Sequence, residues 1–89
     1  MVTTVDKEYI MESMLESLVA KVKYYEEVKT KDLANMYLGE LDGMYNFFNQ
    51  VAARGIFVDE TSKINKEFTE LYKATRQMLV DKFASGQLE

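Results

Sequence analysis

The sequence predicts an all-α fold: an antiparallel up-down-up three-helix bundle, with pairing into a homodimer left open. Three observations predict it. Apolar residues recur at helical spacing in three successive stretches of similar length. The stretches are separated by short segments rich in capping and helix-ending residues. At 89 residues, 47% of them apolar, the chain has room for one core and enough apolar surface to fill it.

The first helix is expected over about residues 5–28. At 100° per residue, Met11, Met14, Leu15, Leu18, Val19, Val22 and Tyr25 share a face, while Glu12, Ser13, Glu16, Ala20, Lys23 and Glu27 lie opposite. Thr3, Thr4 and Asp6 offer capping oxygens, and Asp6 with Glu8 puts negative charge at the positive end of the helix dipole. Lys29-Thr30-Lys31-Asp32 interrupts the pattern, with Thr30 as the N-cap of the next helix. So short a link turns the chain back on itself and makes the neighbour antiparallel.

The second helix, residues 31–54, carries Leu33, Met36, Tyr37, Leu41, Met44, Phe47, Phe48 and Val51 on a broad face. Gly55 is its expected stop, since glycine takes the left-handed conformation after a helix, and Ile56-Phe57-Val58 is an apolar connector folded over the bundle end. Asp59 or Thr61 then starts the third helix, residues 60–84, with the stripe Ile64, Phe68, Leu71, Tyr72, Thr75, Met78, Leu79 and Phe83, ended by Ser85-Gly86. Residues 1–87 form one helical domain in this reading. Leu88-Glu89 resembles what a cloning site leaves before a purification tag and is set outside it.

Composition narrows the function classes. There is no Cys, His, Pro or Trp. Disulfide and thiolate chemistry, the common zinc, haem and iron–sulfur ligand sets and the usual general base near neutral pH are therefore missing. No Walker loop, dinucleotide fingerprint, GxSxG or calcium loop is present. No catalytic, cofactor-binding or metal-binding residue is assigned, no cofactor or small-molecule substrate is expected, and the chain is read as a non-enzyme. Without an apolar run of membrane-spanning length or a leader-like N-terminus, a cytoplasmic protein away from membranes is expected. The net charge of −4 and pI near 4.8 disfavour loose binding to polyanions.

What remains is the outside of the helices. Ile10, Ser13, Ser17, Ala20, Tyr24 and Val28 run down the first helix away from its core stripe and form a seam for a partner or a second copy. Gly39 and Gly43 make a GxxxG in the second helix, one off the apolar face and one at its edge, where another helix could approach closely. These eight positions are the expected partner surface. Glu40 projects into the apolar stripe and is expected to reach the bundle edge or pair with a lysine; Lys82 is expected to snorkel at its helix end. The five internal methionines sit at core spacing, and Glu8, Glu12 and Glu16 form an acidic ridge that a solvated face explains.

The leading functional reading is a small non-catalytic protein that acts through protein–protein contacts. The alternative is a nucleic-acid-associated regulator using Lys63, Lys66, Lys73 and Arg76 of the third helix. It is the weaker reading, because Glu67, Glu70 and Asp81 break the basic run. In size and composition the chain resembles small accessory or regulatory proteins of bacteria and their phages, and bacteriocin immunity proteins are likewise compact helical bundles. That resemblance is one of fold alone, and no motif ties the chain to either group.

Overall fold

The computed structural model describes the backbone of residues 4–53 and 59–89 and the side chains of residues 9–52 and 63–89. Three helices, α1 (Thr4–Glu26), α2 (Lys31–Ala53) and α3 (Asp59–Ala84), pack against one another. No strand occurs among the described residues. Partners across α2 and α3 run in opposite order, Tyr45 on Tyr72 and Phe48 on Phe68, and Tyr25 near the end of α1 meets Tyr37 early in α2. The topology is therefore up-down-up, in a rod of 45 × 20 × 18 Å.

The helix limits follow local chemistry. Thr30 caps α2: its hydroxyl oxygen accepts from the Leu33 amide at 3.2 Å, and its carbonyl accepts from the Ala34 amide at 3.0 Å. Gly86 ends α3 in the left-handed region at φ 78°. Ser85 contributes to the same stop, its hydroxyl donating to the Lys82 carbonyl at 2.8 Å. The expected caps at Thr3, Thr4, Asp6, Asp59 and Thr61, the stop at Gly55 and the Ile56-Phe57-Val58 connector lie outside the described residues or side chains.

The most deeply buried residues repeat by sevens. Met11, Leu18 and Tyr25 do so in α1, Ala34, Leu41 and Phe48 in α2, and Phe68 and Thr75 in α3, with Ile64, Leu79 and Ala52 one turn away. This is the spacing of helices wound gently around a shared seam. Phe48 and Phe68 stack in the core with ring centres 3.9 Å apart. The α1 and α3 stripes match the expected ones except at Val19 and Phe83, which are exposed.

The α2 stripe needs correction. Leu33, Met36 and Phe47, expected in the core, are 38%, 56% and 55% exposed, whereas Ala34 and Ala52 are buried. The buried face is turned by roughly 70° from the one that large apolar residues alone indicate. Alanines weigh little on a wheel, yet close helix approach at the seam requires them. A second difference concerns Leu88, which is buried. Its neighbour Glu89 exchanges backbone hydrogen bonds with the α1–α2 turn, donating to the Lys29 carbonyl at 3.0 Å and accepting from the Lys31 amide at 2.9 Å. The two residues set outside the domain thus pack onto it.

Candidate interaction face

Two helix flanks come together on the side of the α1–α2 pair away from α3. Lys21 Nζ and Glu40 Oε1 meet at 2.5 Å across the α1–α2 seam and fix the level at which the two helices pass. On α1, Ser17 and Tyr24 lie about one turn either side of Lys21; on α2, Met36 and Gly43 lie about one turn either side of Glu40. Extended by another turn or two, the same rows take in Ser13 and Ile10 on α1 and Leu33 and Phe47 on α2. Tyr45 and Asp42, on the other flank of α2, face α3 through Tyr72 and Arg76. The first set of rows therefore points outward, on the face opposite α3.

Most of the expected partner surface is on this face. Ser13, Ser17, Ala20 and Tyr24 are exposed and Ile10 is half-buried. Gly43 joins them from α2, and a methyl group built on it would meet nothing within 4 Å. Gly39 is equally open, but it points straight outward at the margin of the face. Val28 is the exception. At 7% exposure it is buried at the bundle end, because the chain leaves α1 before it and turns it inward. Sequence reasoning missed Leu33, Met36 and Phe47 as surface residues. They give the face an apolar character that the α1 seam alone lacks, and their signal was the pair of alanines marking the opposite flank.

At the centre of the face is a small polar network. The Tyr25 hydroxyl donates to Glu40 Oε1 at 2.9 Å, beside the Lys21 contact. The hydrogen bond from Lys21 holds the Glu40 carboxyl below its usual range; partial burial opposes this and the Tyr25 hydroxyl assists it. Burial, with the Glu40 hydrogen bond second, pushes the Tyr25 hydroxyl far above the usual phenol range. Glu40 is thus a paired edge carboxylate, ionised at neutral pH and without the raised pKa that general acid catalysis uses. The Lys21–Glu40 pair at the centre of the face is partly solvent-exposed and carries no net charge.

The other polar clusters are used within the fold. Tyr72 donates to Asp42 at 2.7 Å and Arg76 pairs with the same carboxylate at 3.3 Å, so the α3 arginine is engaged by α2. Burial and then the Asp42 hydrogen bond raise the Tyr72 hydroxyl, with Arg76 opposing. Lys63, Lys66 and Lys73 are exposed with Glu67, Glu70 and Asp81 among them. Lys82 donates to the Glu26 carbonyl at the end of α1, where the helix dipole favours a cation. Of the five internal methionines, Met11 is buried, Met14, Met44 and Met78 are half-buried against the core, and only Met36 lies out on the face.

The class that the structure defines is an all-α three-helix bundle, with large apolar side chains exposed along one face. No family model matches the chain, and neither a curated protein nor a solved structure is significantly similar to it.

Proposed function

We propose that this is a small non-catalytic accessory or regulatory protein that works by protein–protein contact through the α1–α2 face. One observation carries the reading: Tyr24 at 68% exposure, with Leu33, Met36 and Phe47, gathers on one side of the molecule beside the small residues Ser13, Ser17, Ala20 and Gly43. Scattered apolar residues are ordinary on a protein surface, but large ones aligned along adjoining helix flanks form the core of a packing surface. Small residues between them let another backbone come close.

A cytoplasmic setting fits the absence of cysteine. No described helix is long and apolar enough to cross a membrane. The mixed charge of α3 gives nucleic-acid binding no comparable support.

The test is a photo-reactive amino acid placed at Tyr24, and separately at the exposed Lys73 of α3, in native cells. Protein adducts formed from position 24 and not from position 73 are the expected result. Equal yields at both, or none at 24, would remove the basis for the reading.

A further inference from the structure

We propose that the α1–α2 turn is a docking slot for an extended peptide segment of another protein, one that carries a leucine followed by an acidic residue, and that the chain's own Gln87–Glu89 strap fills the slot in its closed state. This slot is at the end of the bundle and shares no residue with the contact face proposed above.

The turn offers the backbone groups that an extended segment needs. Lys31 opens α2, and the first amides of a helix have no partner within it. Thr30 satisfies the Leu33 amide with its hydroxyl and the Ala34 amide with its carbonyl, which leaves the Lys31 amide and the Lys29 carbonyl to bond outside the helix. Glu89 takes both. Its amide donates to the Lys29 carbonyl at 3.0 Å, and its carbonyl accepts from the Lys31 amide at 2.9 Å. One residue bonded in this way to groups on either side of Thr30 is how neighbouring parallel strands pair. Backbone bonds of that kind accept any extended segment, and the side-chain recess beside them chooses among segments. Here the recess takes Leu88, which is 8% exposed and joins the buried Val28 in the core.

Two observations make the strap a replaceable occupant. It is anchored by one side chain and one pair of bonds, with Gln87 and Glu89 exposed and Gly86, at φ 78°, as its hinge. Segments held by so few contacts open at small cost compared with the whole fold. The strap also underfills its site: a cavity of about 300 Å³ stays open beside it, lined by Val28, Lys29, Lys82, Gln87, Leu88 and Glu89. A bound segment with larger side chains next to its leucine has room there. Lys29 and Lys82 on the cavity wall set the charge preference, since an acidic residue after the leucine meets cations where a basic one is repelled.

The probe is the peptide acetyl-Ser-Gly-Gln-Leu-Glu, which repeats residues 85–89, titrated into the isotope-labelled full chain while amide resonances are followed. In the parent the tethered strap competes at a millimolar effective concentration, so the peptide should shift the turn amides little. Leu88→Ser removes the anchor and should bind the peptide about tenfold or more tighter than the parent, with shifts centred on Val28, Lys29 and Lys31. Gly86→Ala strains the hinge without touching the slot and should give a smaller gain at the same amides. Gly86 is exposed and lies beyond α3, so this second variant keeps its helical circular dichroism even if Leu88→Ser does not. A peptide with serine in place of the leucine should not bind, and one ending in lysine should bind several-fold more weakly. Absence of a saturable shift in Gly86→Ala, equal binding by parent and variants, shifts spread away from the turn, or equal binding of the leucine and serine peptides would overturn the proposal and leave the strap a structural closure. None of these outcomes bears on the adducts formed from position 24.

Discussion

The Tyr25 hydroxyl, on a residue 1% exposed, donates to the edge carboxylate of Glu40 at 2.9 Å, tying the core of the bundle to the centre of its outer face. Its removal has a pH signature. In the unfolded chain this phenol titrates near its ordinary value of 10.0, and in the folded chain well above it. As pH rises past about 10, the unfolded chain loses a proton that the native chain keeps, so stability is complete below that value and declines above it. Urea titrations at about pH 8 and about pH 11 should show this decline, and Tyr25→Phe should make it shallower, leaving the smaller share due to Tyr72. An unchanged slope in Tyr25→Phe would mean that the phenol is not held by burial and Glu40.

Glu40 gives the opposite limb. Its carboxyl is held below its ordinary value of 4.5 chiefly by Lys21, so its contribution is present above that value and disappears as pH falls through the lower folded one. The side chain is 37% exposed, so solvent screening limits the contribution to below about 1 kcal/mol. Glu40→Gln should lose that much at neutral pH and flatten the acid side of the stability profile. A gain in stability at neutral pH would show that the ion pair is a net cost.

Phe47 and Phe48 are neighbours in sequence with opposite roles. Phe48 is fully buried on the Phe68 ring, so Phe48→Ala should cost about 3–5 kcal/mol, read from denaturant midpoints. Phe47→Ala should change the stability of dilute protein by no more than about 0.5 kcal/mol. Comparable losses at both positions would show that the α2 stripe is turned less than the structure has it.

This pair also marks how far the sequence can be read. Helix limits were legible because their determinants are local: Thr30 caps α2 and Gly86 stops α3 within a turn of themselves. The α3 stripe was legible because its large apolar residues all point one way. In α2 they point two ways, and only the burial of Ala34 and Ala52 decides which flank is inside. The pairing expected of Glu40 occurs, but its partners lie 19 and 15 residues away, at a level set by how the helices pass. Asp42 with Tyr72, and Lys82 on the Glu26 carbonyl, were out of reach for the same reason. On the candidate site, the α1 half was legible as a soft seam. The α2 half was hidden because its best contact residues looked like core.

Leu88 supplies a further check on packing that the sequence did not suggest. Its burial against the α1–α2 turn predicts that Leu88→Ser costs about 1–3 kcal/mol and speeds hydrogen exchange at the Lys31 amide, which the Glu89 carbonyl now accepts from. Exchange at the Ala34 amide, bonded to Thr30, should be less affected. If Leu88→Ser leaves both stability and the Lys31 amide unchanged, the packed tail contributes nothing to the bundle end.

The two α2 glycines should respond differently to the same change. Each sits in a helix, with open space where a methyl group would go and without the positive φ found at Gly86, so alanine removes backbone freedom from the unfolded chain at no steric cost. Gly39→Ala and Gly43→Ala should each raise the thermal midpoint of dilute protein, by about 0.5–1 kcal/mol in stability. Only Gly43 lies among the residues of the α1–α2 face, so Gly43→Ala should lower the yield of protein photo-adducts from position 24 while Gly39→Ala leaves it unchanged. Melting curves and adduct yields on the same two variants measure both quantities. A Gly43→Ala chain that is more stable and forms adducts as well as the parent would place the close approach of the partner elsewhere than at Gly43.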